Sequence, residues 1–342
     1  MSALSSGPST VPCTDIDRRI DHRERRIWEM VAASPLHNLW NLQGASLKTV
    51  AMRTWKSLMA DQIFNRSAEL GFYFLFALFP TLLCASSILG LAARSAFKIY
   101  DRLLDYLALV LPTSALGTVL NTFNETTAAS TSGKITFGLV AAIWSASVGI
   151  SAVQGTLNAV YKLEDRRSYI RARISAIGLT IVLIGTISLC LASMFSGDFA
   201  AAWAHHRIPD HALSETVAMA AKLSGWFLAS AFLALSFSLT YYWAPDLRSR
   251  CWCWLTPGST IGMVGWLLSS IGFRIYLHYF NTYSVTYGSL GAVIILLMWF
   301  YITGLMLLLG AEINSEIAAA AAAAKLERES THSLADAEKH AA

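Results

Sequence analysis

Residues 287–312 read YGSLGAVIILLMWFYITGLMLLLGAE, and no Asp, Glu, Lys or Arg occurs between Arg274 and Glu312. This gap encloses 37 uncharged residues, whereas a helix needs only about 20 to cross roughly 30 Å of hydrocarbon. Five further gaps enclose 23 to 27 uncharged residues each. The sequence therefore predicts an all-α, polytopic membrane protein with six transmembrane helices, at about 70–93, 135–161, 172–195, 217–242, 255–276 and 287–312.

The composition supports this prediction. Of 342 residues, 55% are hydrophobic and 14% are charged, with a mean hydropathy of +0.48, while soluble domains carry about 25% charged residues. A transmembrane β-barrel would show alternating segments of about 10 residues instead. With only 5 Cys, no disulfide framework is predicted.

Loop charge predicts the orientation of the spans. Nineteen Lys and Arg lie in the N-terminal arm, the 161–173 and 244–252 loops and the C-terminal tail, against seven in the alternate loops. Because cytoplasmic loops carry the excess of Lys and Arg, both termini are predicted to be cytoplasmic. We expect a cytoplasmic arm over 1–54, a membrane domain over 55–316 and a cytoplasmic tail over 317–342.

Between the first two spans, the sequence predicts amphipathic helices at the outer surface. Apolar residues recur with helical spacing in residues 97–111, opposite charged ones, and Pro112 ends the pattern before a second short helix at 116–123. In the first span, Pro80 should bend the helix because proline removes a backbone N–H.

The second span carries small residues at four-residue spacing, which let helix backbones approach closely. One row is Ala141, Ser145 and Gly149, and the other is Ser147, Ser151 and Gly155. Gln154 and Asn158 lie one turn apart on the inner half of this span. Buried amides need partners, so they either join helices or bind a polar ligand.

Charged groups flank the last two spans. Arg274 is the only charge in residues 251–311, near the predicted outer interface, beside Tyr283 and Tyr287. It either extends its charge to the interface or binds an anionic group. Glu312, Asn314 and Glu316 end the last helix, and we expect these side chains to pair with loop residues such as Arg166, Arg167 or Arg171.

No phosphate-loop, hydrolase-elbow or zinc-protease motif occurs, so no catalytic residue, metal or cofactor is predicted.

Residues 287–314, which include Gly310, Glu312 and Asn314, resemble the closing segment of the YihY/BrkB family of bacterial inner-membrane proteins. Other segments of the family are similar to residues 72–80, to residues 144–161 and to the positions of Pro245, Asp246, Pro257 and Gly258. The resemblance therefore covers about residues 55–316. It implies a six-helix protein of the bacterial cytoplasmic membrane. Members have been labelled ribonuclease BN or virulence factors, and links to envelope lipids have been proposed.

These observations favour a non-enzymatic protein that binds or translocates a lipid or lipid-linked envelope amphiphile. Membrane lipids are the expected partners, and Gln154, Asn158, Arg274, Tyr283 and Tyr287 are the candidate binding residues. An ion-coupled transporter of a soluble solute and an envelope-assembly scaffold are the alternatives. A homo-oligomer or an envelope-protein partner stays open. Nucleic acid is not expected as a partner, because the basic residues follow the membrane topology and are not gathered on one face. Ribonuclease activity is not expected either, since the 161–173 and 244–252 loops contain no histidine.

Overall fold

The computed structural model describes residues 13–33, 47–92, 132–163, 165–207, 210–248, 252–279 and 289–341. Within these ranges the chain forms eight α-helices and no β-strand, so the all-α prediction is confirmed there. The helices are α1 (Cys13–Ala33), α2 (Leu47–Ala60), α3 (Ile63–Ala92), α4 (Ser132–Val160), α5 (Tyr169–Arg207), α6 (His211–Trp243), α7 (Pro257–Tyr279) and α8 (Ser289–Ala341).

Two helix starts show how local sequence sets the boundaries. Asp210 precedes α6, and its side chain accepts a hydrogen bond from the Ala212 backbone N–H at 3.0 Å. At the start of α7, Thr256 and Ser259 form a reciprocal pair in which each hydroxyl accepts from the other residue's backbone N–H. Both arrangements satisfy first-turn N–H groups that have no partner within the helix.

Helix α8 organises the bundle, since it packs against α1, α2, α3, α4 and α7, while α5 and α6 form a closely packed pair. With 53 residues, α8 is about 80 Å long at ~1.5 Å per residue, so it extends well beyond a hydrocarbon core. Side-chain contacts join several helix ends at one end of the bundle. These are the starts of α3, α5 and α7, the ends of α4 and α6, and residues 312–316 of α8. We call this the polar end of the bundle.

Five helices are long and apolar enough to cross a membrane: Leu139–Val160, Tyr169–Ala204, His211–Trp243, Pro257–Tyr279 and Leu290–Thr331. Their outward faces are apolar; Phe227, for example, is 78% exposed. The first predicted span lies on α3 and is not among the five, so the six-span count stays a prediction.

The predicted bend at Pro80, the amphipathic helices and the domain boundaries stay predictions. Helix α3 continues through Pro80 without interruption, and the bend stays a prediction. The amphipathic helices expected at 97–111 and 116–123 lie outside the described residues. The domain boundaries near residues 54 and 316 also stay predictions, and α8 runs across the second of them.

Candidate functional site

The predicted amide residues of α4 are both buried at the polar end. Gln154 is 3% exposed and donates from Nε2 to the Ser175 hydroxyl oxygen at 3.2 Å. Trp243 Nε1 donates to the same oxygen at 3.1 Å, so one hydroxyl joins α4, α5 and α6. Gln154 therefore acts in helix packing in this arrangement.

Asn158 links α4 to the connection after α6. Its Oδ1 accepts from the Asp246 backbone N–H at 2.8 Å, and the residue is 4% exposed. Its Nδ2 has no hydrogen-bond partner among the described residues. A buried amide nitrogen with two unsatisfied N–H groups is costly, and the binding role predicted for Asn158 stays a prediction.

The structure does not bring Arg274 to these amides. Arg274 is exposed on α7, about 25 Å along the helix from Pro257 at ~1.5 Å per residue. Asn158 contacts the opposite, polar end. Tyr283 and Tyr287 lie outside the described residues. The joint binding role predicted for these five residues stays a prediction.

The two small-residue rows of α4 have different surroundings. In the first, Ser145 and Gly149 are buried and Ala141 is partly buried, and a Cβ on Gly149 would lie 3.5 Å from the Phe74 ring of α3. In the second, Ser147 is buried and Ser151 accepts from Arg173 Nη1 at 3.4 Å, whereas Gly155 is exposed. No described atom lies within 4 Å of a Cβ on Gly155.

Three carboxylates at the polar end form an acid cluster, which we define as Asp61, Glu312 and Glu316. Glu316 is 3% exposed, and its two oxygens accept from Arg53 Nε at 2.9 Å and Ser57 Oγ at 2.6 Å. The expected pairing of Glu316 with Arg166, Arg167 or Arg171 is therefore wrong. Helix α2 packs against α8 and supplies the cation instead.

The other two members of the cluster are less well paired. Asp61 lies 3.5 Å from Lys162 Nζ through one oxygen. Burial raises the pKa of the Asp61 carboxyl above its ordinary value, and the nearby Lys162 opposes this rise. Glu312 is fully buried, and neither of its carboxyl oxygens has a hydrogen-bond partner among the described residues.

Beside the acid cluster, α7 crosses α8 at very short distance. A Cβ on Gly258 would collide with the Gly310 carbonyl oxygen, so only glycine permits this approach. Asn314 occupies the crossing: its Oδ1 accepts from the Gly258 N–H at 2.8 Å, and its Nδ2 donates to Thr256 Oγ1 at 2.9 Å. Tyr241 of α6 donates its hydroxyl to the Leu307 carbonyl at 2.8 Å.

A second feature of the polar end is a cavity of about 840 Å³ between α1 and the connections after α4 and α6. We call it the basic cavity, because its lining includes six cationic and three anionic side chains. The cations are Arg25, Lys162, Arg166, Arg167, Arg171 and Arg248, and the anions are Glu24, Glu29 and Asp246. The excess of positive charge suits an anionic ligand.

Arg167 is the most constrained cation of the cavity. Its side chain is 6% exposed, its Nε lies 3.1 Å from Asp165 Oδ1, and Nη2 donates to the Ala244 carbonyl at 3.2 Å. Nη1 has no hydrogen-bond partner among the described residues. A held guanidinium with a free N–H is a suitable donor to a carboxylate or phosphate.

The sequence did not single out Arg53, Asp61 or Lys162 as site residues. Arg53 and Asp61 precede the first span, and only folding of α2 against α8 brings them to Glu316 and Glu312. Glu312 ends the longest uncharged stretch and Glu316 follows at i+4, which was the available signal. Among the described residues, no group of three or more His, Cys, Asp or Glu could hold a metal ion.

Long apolar helices with charge gathered at one end define a multi-pass α-helical membrane protein. A family model described as virulence factor BrkB matches residues 54–334. The chain belongs to this family, which confirms the resemblance seen in the sequence.

Bacterial relatives are similar to most of this chain. A ribonuclease-like protein, YfkH, of Bacillus subtilis (strain 168) is 33% identical over 251 residues, which cover 73% of this chain and 88% of that protein. UPF0761 membrane proteins of Xanthomonas oryzae pv. oryzae (strain PXO99A) and Xanthomonas campestris pv. campestris (strain B100) are each 27% identical over 268 residues. Those alignments cover 78% of this chain but only 60% of the length of each Xanthomonas protein. No solved structure matches the chain.

Proposed function

We propose that this protein binds an amphiphile with an anionic headgroup, a lipid or a lipid-linked envelope precursor, and moves it across the membrane. The observation that carries the proposal is the basic cavity, where six cationic side chains surround about 840 Å³ at the end of apolar helices. An anionic headgroup would lie among these cations while its acyl chains stay in the bilayer. Helix α7 suits contact with acyl chains, because only 6% of the most apolar stretch within Pro257–Tyr279 is buried inside the described bundle.

We also propose six spans in the bacterial cytoplasmic membrane, with both termini in the cytoplasm. The polar end supports this arrangement, since α3, α5 and α7 start there and α4, α6 and residues 312–316 of α8 return to it. The pairing of Arg23 of α1 with Glu327 of α8 supports the proposal that both terminal helices are on the same side. The excess of Lys and Arg in these segments favours the cytoplasmic side.

The test is lipid movement in proteoliposomes. We expect a fluorescent anionic phospholipid to cross the bilayer faster than in protein-free vesicles, and faster than a zwitterionic analogue. The double variant Arg166→Gln, Arg171→Gln should lower the rate for the anionic probe several-fold, because both exposed side chains line the basic cavity. Arg328→Gln, on the exposed part of α8 outside the cavity, is the control, and the single variants Arg166→Gln and Arg171→Gln match it in charge.

Movement no faster than in empty vesicles, across several anionic lipids, would refute the proposal. Loss of rate in Arg328→Gln equal to that in the double variant would instead assign the effect to net charge. A stable complex with an envelope protein and no lipid movement would favour the scaffold alternative.

The second candidate is an ion-coupled transporter of a soluble solute, which Glu312 favours. Carboxylates buried inside membrane bundles often belong to ion pathways, and Glu312 is fully buried. Uptake of a solute that depends on an ion gradient, without lipid movement, would support this candidate.

The Bacillus relative is named as a ribonuclease-like protein. We propose that this protein is not an enzyme, because the lining of the basic cavity contains no histidine that could act as a general acid or base. Cleavage of RNA by preparations free of soluble nucleases would overturn that part of the proposal.

A further inference from the structure

Glu312 is the least satisfied titratable group of the described bundle. The residue is fully buried, and both carboxyl oxygens lack a hydrogen-bond partner among the described residues. The nearby Ser315 hydroxyl donates to the Glu312 backbone carbonyl, not to its carboxyl group. The carboxyl is therefore held in the interior without the donors that an anion requires.

The polar groups that face Glu312 are already used elsewhere. On α2, Arg53 Nε donates to Glu316, and the single hydroxyl hydrogen of Ser57 is directed to Glu316 although this hydroxyl also lies near Glu312. After α4, Lys162 pairs with Asp61, and the buried Tyr161 side chain interacts with both Glu312 and Asn314. The Tyr241 hydroxyl of α6 donates to the Leu307 carbonyl.

Charge near Glu312 adds to this deficit. Asp61 and Glu316 are both close enough to act on Glu312 electrostatically, and Lys162 is the nearby cation. Lys162 is shared with Asp61. An ionised carboxylate without its own donors is disfavoured in a buried site, and like charges nearby disfavour it further. The neutral carboxylic acid is the form that this environment stabilises.

We propose that Glu312 is a proton-binding site inside the bundle and that lipid movement by the protein is coupled to release of this proton. The coupling is inferred from Lys162, which pairs with Asp61 of the acid cluster and also lines the basic cavity. On release, the carboxyl O–H bond breaks, the proton passes to water and the carboxylate stays on Glu312. The coupling rests on the proposed function; the proton site itself does not.

Infrared spectroscopy of the full chain in lipid tests the proton site. At neutral pH we expect the C=O stretch of a carboxylic acid in the wild type, its loss in Glu312→Gln and its retention in Glu316→Gln. Glu316 is the matched control because it lies one turn away with Arg53 and Ser57 as partners. Identical bands in the wild type and Glu312→Gln would overturn the site. If Glu312→Gln does not fold, Glu312→Asp should shift the band.

The coupling is tested by measuring lipid movement with and without a pH gradient across the same proteoliposomes. We expect a several-fold change in the wild type and none in Glu312→Gln. A wild-type rate that ignores the gradient overturns the coupling. No lipid movement under either condition refutes the proposed function, while the infrared result still decides whether Glu312 binds a proton.

Discussion

The bundle contains two helix crossings of the same steric kind but with different surroundings. Between α5 and α6, a Cβ on Gly225 would lie 2.8 Å from the Ser193 carbonyl oxygen, and one on Gly197 would lie 2.9 Å from that of Ala221. Between α7 and α8, a Cβ on Gly258 would collide with the Gly310 carbonyl. Both pairs of backbones touch, as small residues allow in membrane helices.

The difference lies in what fills the space around each crossing. Near the α5–α6 crossing, the buried hydrophobic neighbours are alanines, namely Ala201, Ala204 and Ala218, and the buried Ser193 hydroxyl donates to the Cys190 carbonyl of its own helix. The α7–α8 crossing instead contains Asn314 and the Tyr241 hydroxyl, with Glu312 on the same helix. The first crossing therefore serves packing, while the second also positions the polar groups of the candidate site.

Gly258→Ala should have the largest effect. The new methyl group would collide with backbone and with the Asn314 side chain, neither of which can move without separating α7 from α8. We expect a loss of about 3 kcal/mol or more in the free energy of unfolding, measured by denaturant titration in detergent. Gly272→Ala on the same helix is the control, since no described atom lies within 4 Å of its Cβ. Equal stability of the two variants would contradict the α7–α8 crossing.

Gly225→Ala should have a smaller effect. Its Cβ would approach the Ser193 carbonyl oxygen and the Gly197 Cα at 2.8 and 3.1 Å, so the backbones of α5 and α6 must move apart, but by less than the collision at Gly258 requires. We expect a loss of about 2 kcal/mol by the same titration, with little change in lipid movement. A strong loss of movement at unchanged stability would mean that this crossing also belongs to the site.

The sequence predicted the helices better than their contacts. Long uncharged gaps placed the helices at α3 to α8, because burial in hydrocarbon excludes ionised side chains. Glu312 looked like the end of a span, yet α8 continues past it to Ala341. Its burial depends on α2, which lies more than 250 residues away in sequence and pairs Arg53 with Glu316. Charge spacing contains no information about that contact.

The candidate site was predictable in part. Gln154 and Asn158 were singled out because amides are rare in apolar helices, and the structure places both at the polar end. Arg167 was predicted only as a topological charge and as a possible partner of Glu312, Asn314 or Glu316. Its free Nη1 follows from packing between two connections, which no local pattern reveals.

Tyr241→Phe separates the polar contribution of the α7–α8 crossing from the steric one. The variant removes only the hydroxyl that donates to the Leu307 carbonyl. One interhelical hydrogen bond in a membrane bundle contributes about 0.5–1.5 kcal/mol, so we expect a loss in that range by denaturant titration. Tyr242→Phe, at the next position, is the control. A larger loss, comparable to that of Gly258→Ala, would show that polar bonds and not close backbone contact dominate this crossing.

Gly155→Ala should have the smallest effect, and its sign is informative. The small-residue pattern of α4 predicts that Gly155 packs against a helix, in which case an added methyl group would destabilise the protein. In the structure Gly155 is exposed and a Cβ there meets no described atom within 4 Å. Alanine favours the helix over glycine by about 0.5–1 kcal/mol, so we expect a gain of that size by the same titration. Gly149→Ala is the internal comparison, because its Cβ would lie 3.5 Å from the Phe74 ring and add little strain. A loss in Gly155→Ala would mean that a further helix or a second copy of the chain covers this face, as it would if the protein functions as an oligomer.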